Sequence, residues 1–220
     1  MKGFRWAGDL NGQKNPIVRK YYVPDATAIE KGEPVQFTQG TGIVVHAGPT
    51  DFDDPIFGVS MQEKAASDGT TEIELSVSPT ALYKYDCRSQ AYTLTDGSTT
   101  TAVDSSIVPQ TDNFWIGGMI EIISCAADSS LNGRRVRISD STGSTGTLTL
   151  GETLPAALAS GDTIYLCPGY MAHGHLGYDL DSTAMKVNFD ADGGTVLEIF
   201  DTNPDTMEMI VMFHRSSVTS

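Results

Sequence analysis

The sequence predicts an all-β protein, and two observations carry this prediction. Several segments alternate apolar and polar residues with a period of two, as Thr71–Val77 does, which is typical of strands with one buried face. The 22 glycines and 10 prolines fall mostly between these segments, where they favour turns. No helix longer than about two turns is predicted, and the candidates for short helices are Asp25–Lys31 and Leu154–Ser160. The predicted fold is a small β-barrel or sandwich domain with an inserted second β-domain and an extended N-terminal arm.

The predicted strands fall into three groups along the chain. The first group is Ile17–Val23, Pro34–Thr38, Gly42–Ala47, Ile56–Met61, Thr71–Val77 and Ala81–Tyr85. The second group is Met119–Ser124, Arg135–Ser139, Gly146–Leu150 and Thr163–Leu166. The third group is Met185–Phe189, Thr195–Phe200 and Met207–Phe213.

The composition of the chain changes near residues 87 and 168, which predicts three units. Residues 1–24 are an N-terminal arm, residues 25–86 plus 169–220 a β-barrel-like core domain, and residues 87–168 an inserted β-domain. The inserted segment is rich in Thr and Ser, as in Thr93–Thr101. The alternative is one continuous sandwich with a long loop near residues 95–113.

Length and charge exclude several classes of protein. The 220 residues, 40% of them hydrophobic, can build a substantial core, so global disorder is not expected. The formal net charge is −14, which argues against a nucleic-acid duplex as the main partner. No run approaches the roughly 20 apolar residues of a membrane span, and the first residues lack the apolar stretch of a secretory signal peptide. We therefore expect no nucleic-acid and no membrane partner.

The first 24 residues carry a net charge of +4, which leaves −18 for the rest of the chain. A basic segment beside an acidic body predicts an arm that docks on an acidic neighbour. Aromatic and arginine side chains are common at the centre of interfaces, so the predicted contact residues are Phe4, Arg5, Trp6, Arg19 and Lys20. The alternative is a solvated and mobile terminus.

Two of the three cysteines flank the predicted insert. Cys87 and Cys167 would come close together because the two ends of an inserted domain meet. A disulfide requires Cα atoms within about 7 Å. The favoured alternative is a pair of buried free thiols, since a protein assembled inside a cell begins reduced.

No pattern in the sequence predicts catalysis. G-x-S-x-G and the Gly-rich phosphate loops are absent, so we expect no enzyme activity and no cofactor. His173 and His175 could bind a metal with Asp179 or Asp181, but a Gly-rich turn accounts for them better. Asn188–Gly194, which includes Asp190–Gly194, resembles the front half of a calcium loop, yet the twelfth position counted from Asn188 is Ile199 and not a glutamate, so a β-turn is favoured. No metal site is predicted.

One segment carries a resemblance to a known family. Ala28–Phe37 contains a Gly-x-Pro-Val pattern and is followed by the strand-like and glycine-turn segments Gly42–Ala47, Pro55–Ser60 and Ala65–Leu75. This order resembles the small β-barrel decoration, or head-stabilisation, proteins of tailed bacteriophages. Gly146–Leu150 and Gly161–Thr163 in the insert also resemble small β modules of phage virion proteins. The insert and the basic leader depart from the single compact unit of that family.

The resemblance implies a structural virion protein that binds the outer surface of a phage capsid and stabilises the head lattice. The implied partners are the major capsid protein and other copies of this chain, for which a trimer is one candidate. The implied location is the capsid exterior, after assembly in the host cytoplasm. The alternative is a tail- or fibre-associated carbohydrate-binding module, in which Trp115 and Tyr92 would stack on sugar rings. A hydrolase is a third and weaker alternative.

Overall fold

Strands dominate the computed structural model of this chain and account for 48% of it, and the residues that it describes contain no helix of seven or more residues. The all-β prediction is therefore confirmed. The structure describes residues 4–12, 14–38, 43–46, 56–78, 80–107, 112–169, 176–180, 187–188 and 197–213. Within these ranges no helix is long and apolar enough to cross a membrane.

Eighteen strands are described, together with four single-turn 3-10 helices. The strands are β1 (Phe4–Asp9), β2 (Val18–Val23), β3 (Pro34–Thr38), β4 (Ile43–His46), β5 (Gly58–Ser60), β6 (Thr71–Ser76), β7 (Ala81–Asp86), β8 (Ala91–Thr93), β9 (Asp96–Gly97), β10 (Thr101–Val103), β11 (Met119–Ser124), β12 (Arg135–Thr142), β13 (Thr147–Leu150), β14 (Thr163–Cys167), β15 (Leu176–Leu180), β16 (Val187–Asn188), β17 (Leu197–Asn203) and β18 (Glu208–Phe213). The 3-10 helices are Cys87–Ser89, Ser105–Ile107, Ser129–Leu131 and Gly143–Thr145.

Strands β2 to β6 form a small barrel-like sheet in the order β2-β4-β3-β5-β6. The strands pair in an antiparallel manner except for β2 and β4, whose single parallel pair, Tyr22 with Ile43, joins the two ends of the ring. Alternation along β6 buries Ile73 and Leu75 and leaves Glu72 outside. This sheet has a small core of its own, made of Val23, Ile29, Val35, Ile73 and Leu75.

The second sheet has six strands in the order β1-β7-β18-β17-β15-β16. It joins a strand from the first residues, a strand that follows the barrel-like sheet and four strands from residues 176–213. Strands β7 and β18 alternate strictly between buried and half-buried residues, so one face of the sheet is packed. Tyr83, Tyr85 and Phe213 supply the largest side chains on that face.

The third sheet has seven strands in the order β8-β14-β11-β12-β13-β10-β9, and all of them lie between residues 91 and 167. Trp115, Ile120 and Ile138 are among its fully buried side chains. These residues join the packed face of the six-stranded sheet in one continuous apolar core. The segment between Cys87 and Cys167 therefore forms its own sheet but shares a core with the neighbouring one.

The observed sheets differ from the predicted units in two places. Residues 25–86 and 169–220 do not form one barrel: the barrel-like sheet comes from residues 18–76 alone, and the strands of residues 176–213 pair with β7 in the six-stranded sheet. The difference arises from the choice of strand partners, because β7 pairs with β18 over five residues, whereas β6 pairs with β2 and β5. The division into independent domains stays a prediction.

The predicted N-terminal arm is the second difference. Within residues 1–24, β1 pairs with β7 and β2 pairs with β6, so both strands belong to sheets of this chain. Backbone hydrogen bonds and the burial of Phe4 account for this placement. The two predicted short helices are also wrong, because residues 25–31 form turns and one isolated bridge, and residues 154–160 contain bends and no helix.

Candidate functional site

A cleft of about 230 Å³ lies between β1 and two turns of the barrel-like sheet. Three of the predicted contact residues, Phe4, Arg5 and Trp6, form one wall. The opposite wall is formed by Lys31, Gly32, Ser60 and Met61.

Backbone hydrogen bonds fix the two walls of the cleft relative to each other. The Phe4 N–H donates to the Gly32 carbonyl oxygen at 2.9 Å, and the Gly32 N–H donates to the Ser60 carbonyl oxygen at 2.8 Å. Gly32 has φ +86°, a conformation that side chains with a Cβ rarely adopt, so glycine permits this turn. The Glu30 N–H donates to Glu33 Oε2 at 2.6 Å and closes the same turn. The cleft is therefore a built feature of the backbone.

Aromatic packing holds the first wall. The Phe4 ring lies 5.0 Å from the Tyr85 ring and 4.8 Å from the Phe213 ring, and only 2% of Phe4 is exposed. Trp6 meets Tyr83 edge to face at 6.2 Å and is half-buried. Phe4 is thus a core residue at the base of this wall, whereas Trp6 keeps an exposed part that another molecule can contact.

The charged residues that line the cleft are both cations, Arg5 and Lys31. Arg5 Nη2 donates to Glu208 Oε1 at 3.1 Å, and Lys84 Nζ donates to the other oxygen of the same carboxylate at 3.0 Å. Burial raises the pKa of Glu208, but the hydrogen bonds from Lys84 and Thr206 and the charges of Lys84 and Arg5 outweigh it, so the pKa lies below its ordinary value. Glu208 stays ionised and orients the Arg5 side chain.

Arg19 and Lys20, the other two predicted contact residues, do not line the cleft. They lie on β2, where they pair in register with Leu75 and Glu74 on the barrel-like sheet. The structure therefore separates the five predicted residues into two surfaces. The residues that sequence reasoning missed are those of the second wall, because their part in the cleft depends on which turn meets β1.

The aromatic residues of the carbohydrate alternative are buried. Trp115 is 2% exposed and packs edge to face on Phe114 at 4.8 Å, and Tyr92 is 7% exposed. Stacking on a sugar ring requires an accessible aromatic face. These two residues therefore do not offer the predicted sugar platform.

The candidate metal ligands fall largely outside the described residues. His173, His175, Asp181 and Asp190–Gly194 lie there, and Asp179 is described only as part of the backbone of β15. Among the described residues, no group of three or more His, Cys, Asp or Glu side chains is arranged to hold a metal ion.

The two cysteines that flank the insert lie together. Cys87 begins the first 3-10 helix and Cys167 ends β14, and 2% and 0% of these residues are exposed. Both thiols are free, and the Cys167 thiol donates to the Glu208 carbonyl oxygen at 3.8 Å. The structure thus brings together the ends of the insert, as the sequence predicts.

Comparison of the chain with protein-family models, with curated proteins and with solved structures found no match.

Proposed function

We propose that this protein is a structural virion protein that binds the outer surface of a tailed-phage capsid and stabilises the head lattice. Its partner is the major capsid protein, and other copies of the chain are expected beside it on the lattice. The role requires binding surfaces and a stable scaffold and needs no reaction at this chain.

One observation supports this proposal best. The segment that resembles the decoration-protein family forms most of one sheet. Residues 28–75 contribute β3 to β6, and these strands close with β2 into the barrel-like sheet. That sheet has a small core of its own, while Val59 of β5 belongs to the larger core of the other two sheets. A barrel-like sheet is what the resemblance to capsid decoration proteins leads one to expect in this segment.

The cleft beside β1 is the surface we assign to the capsid. Its charged lining residues are the cations Arg5 and Lys31, on a chain whose net charge is −14. The half-buried residues Trp6 and Met61 add apolar surface to the same cleft. An extended segment of a capsid subunit that carries acidic side chains complements both properties.

Binding to capsids that lack the protein tests the proposal. The full chain is mixed with purified expanded capsids, and bound copies are measured after sedimentation. We expect saturable binding, and we expect Trp6→Ala to weaken it by more than about tenfold, which corresponds to roughly 1.4 kcal/mol. Lys31→Glu should weaken it as well, because the charge facing the acidic segment is reversed.

Lys14→Glu is the matched control, since it makes the same charge reversal at an exposed residue that does not line the cleft. It should bind like the unmodified chain. Equal losses for Lys14→Glu and Lys31→Glu would show that overall charge, and not the cleft, governs attachment. No binding of the unmodified chain to any capsid would refute the proposed function, and specific binding to a glycan array would favour the carbohydrate module.

A further inference from the structure

Cys87 and Cys167 are held by the same short stretch of a third segment. The Cys87 N–H donates to the Met207 carbonyl oxygen at 2.9 Å, and the Cys167 thiol donates to the Glu208 carbonyl oxygen at 3.8 Å. Because Met207 and Glu208 are consecutive, both cysteines are fixed where β18 begins. We call the place where these three segments meet the neck of the insert, and we define it by Cys87, Cys167 and Met207.

We propose that Cys87 and Cys167 are a disulfide site that closes the neck of the insert. The Cys87 N–H and the Cys167 thiol donate to the carbonyl oxygens of the consecutive residues Met207 and Glu208, and the pairing of Tyr165 with Ala91 brings the end of β14 beside the 3-10 helix that Cys87 begins. Closing the bond therefore requires side-chain movement and no rearrangement of the sheets. This inference does not depend on the capsid function.

The third cysteine cannot compete for this bond. Strands β11 and β14 pair so that Ser124 lies opposite Thr163, while Cys167 lies opposite Met119 at the other end. Cys125 follows Ser124 and is level with Asp162, five residues before Cys167, so it lies about 17 Å along the strands from Cys167 at roughly 3.4 Å per residue. A disulfide needs Cα atoms within about 7 Å. The Cys125 thiol donates instead to the Ala157 carbonyl oxygen.

The oxidant is a small disulfide such as oxidised glutathione. One cysteine thiolate attacks a glutathione sulfur, which breaks the glutathione S–S bond and releases one reduced glutathione. The second cysteine then displaces the second glutathione from the mixed disulfide. Two protein S–H bonds are lost and one S–S bond forms, while two glutathione molecules take up the electrons and the protons.

Burial makes this reaction slow in the folded protein. Desolvation raises the pKa of the Cys87 thiol, and the neighbouring Cys167 thiol and Asp86 carboxylate raise it further, so little reactive thiolate is present. The reaction is therefore best followed while the chain folds and the two sulfurs are still accessible.

The experiment refolds the full chain from denaturant in a buffer of reduced and oxidised glutathione, followed by alkylation of free thiols, intact mass and peptide mapping. We expect the monomer to lose two of its three titratable thiols and to yield a Cys87–Cys167 linked peptide. Cys125→Ser should lose both of its thiols, whereas Cys87→Ser should keep both. The oxidised chain should also unfold at a higher temperature than the reduced chain.

Three free thiols after oxidative refolding would overturn the proposal. A bond that involves Cys125, or bonds only between chains, would overturn it as well. Because Cys125→Ser leaves the neck unchanged, its result stands even where Cys87→Ser fails to fold.

Discussion

Arg135 on β12 donates through Nη1 to the backbone carbonyl oxygen of Asp205 at 2.8 Å, in the turn between β17 and β18. This bond joins the seven-stranded sheet to the six-stranded sheet. Arg135 Nε also donates to Glu121 Oε2 at 2.7 Å, and Arg88 Nε reaches the same oxygen at 3.1 Å. Glu121 therefore positions two arginines at the junction of the two sheets.

Replacing Glu121 by Ala should destabilise this junction. The Glu121 side chain is only 16% exposed and accepts two charge-assisted hydrogen bonds, so we expect a loss of about 1–3 kcal/mol in the free energy of unfolding. Urea denaturation of the full chain measures the loss. Glu152→Ala is the control, because Glu152 pairs with Arg134 at an exposed site and should cost about 1 kcal/mol or less. Equal losses in the two variants would contradict the special position of Glu121.

Gly169 should not tolerate a side chain. A Cβ built at Gly169 would lie 1.9 Å from the Ile116 carbonyl oxygen and 2.6 Å from the Gly118 nitrogen, and both are backbone atoms. Gly169→Ala should therefore cost about 1–3 kcal/mol or more as the backbone shifts. Thermal unfolding followed by circular dichroism provides the measurement.

Gly151→Ala is a matched glycine replacement, since the nearest atom to its Cβ would be the Arg137 carbonyl oxygen at 3.3 Å. We expect a smaller change there. A Gly169→Ala variant as stable as Gly151→Ala would show that the backbone of Gly169 lies farther from Ile116 and Gly118 than the structure has it.

Phe4 should contribute to the stability of the fold. Its ring is buried between Tyr85 and Phe213, so Phe4→Ala should lower the free energy of unfolding by about 3–5 kcal/mol. Leu10→Ala, directly after β1, removes an apolar side chain from a residue that is 46% exposed and should change the free energy by about 0.5 kcal/mol or less. A Phe4→Ala variant of unchanged stability would favour the original interpretation of Phe4 as part of an arm that docks on a neighbour.

Glu208 should make stability depend on acid pH. Its pKa in the folded state lies below the ordinary value of 4.5, so the folded state favours the ionised form. The resulting stabilisation is complete above pH 4.5 and is lost as the pH falls through the folded-state pKa. The stability difference between the unmodified chain and Glu208→Gln should therefore shrink over that range in urea denaturation at stepwise pH. A difference that stays constant into strong acid would disprove this assignment.

Period-two alternation was sufficient to predict the longer strands. Arg135–Ser139 was predicted and begins β12, because its residues are exposed and buried in turn. Pro34–Thr38 and Met119–Ser124 were predicted with the bounds that the structure has, although their burial does not alternate strictly. Strands β8, β9 and β10 were missed, since two or three residues are too few for a pattern and their pairing partners define them.

The cleft could be predicted only in part. Phe4, Arg5 and Trp6 were singled out for residue type, but their strand was missed because β1 has no clear alternation and has a register shift between Trp6 and Gly8. Lys31 and Met61 carry no local signal. They reach the cleft through the Phe4–Gly32 and Gly32–Ser60 hydrogen bonds, which only the folded chain makes.

The pairing of β7 with both β1 and β18 has a consequence for how the chain folds as it is synthesised. Strands β2 to β6 can pair once residue 76 has been made, and β8 to β14 once residue 167 has been made. The six-stranded sheet must wait for β18, so β1 and β7 remain an unfinished pair while more than a hundred residues are added. Such distant contacts slow folding and expose apolar strand faces in the meantime. A chain stalled on the ribosome near residue 170 would thus have two complete sheets, while the unpaired edge of β7 would be free to associate with other chains.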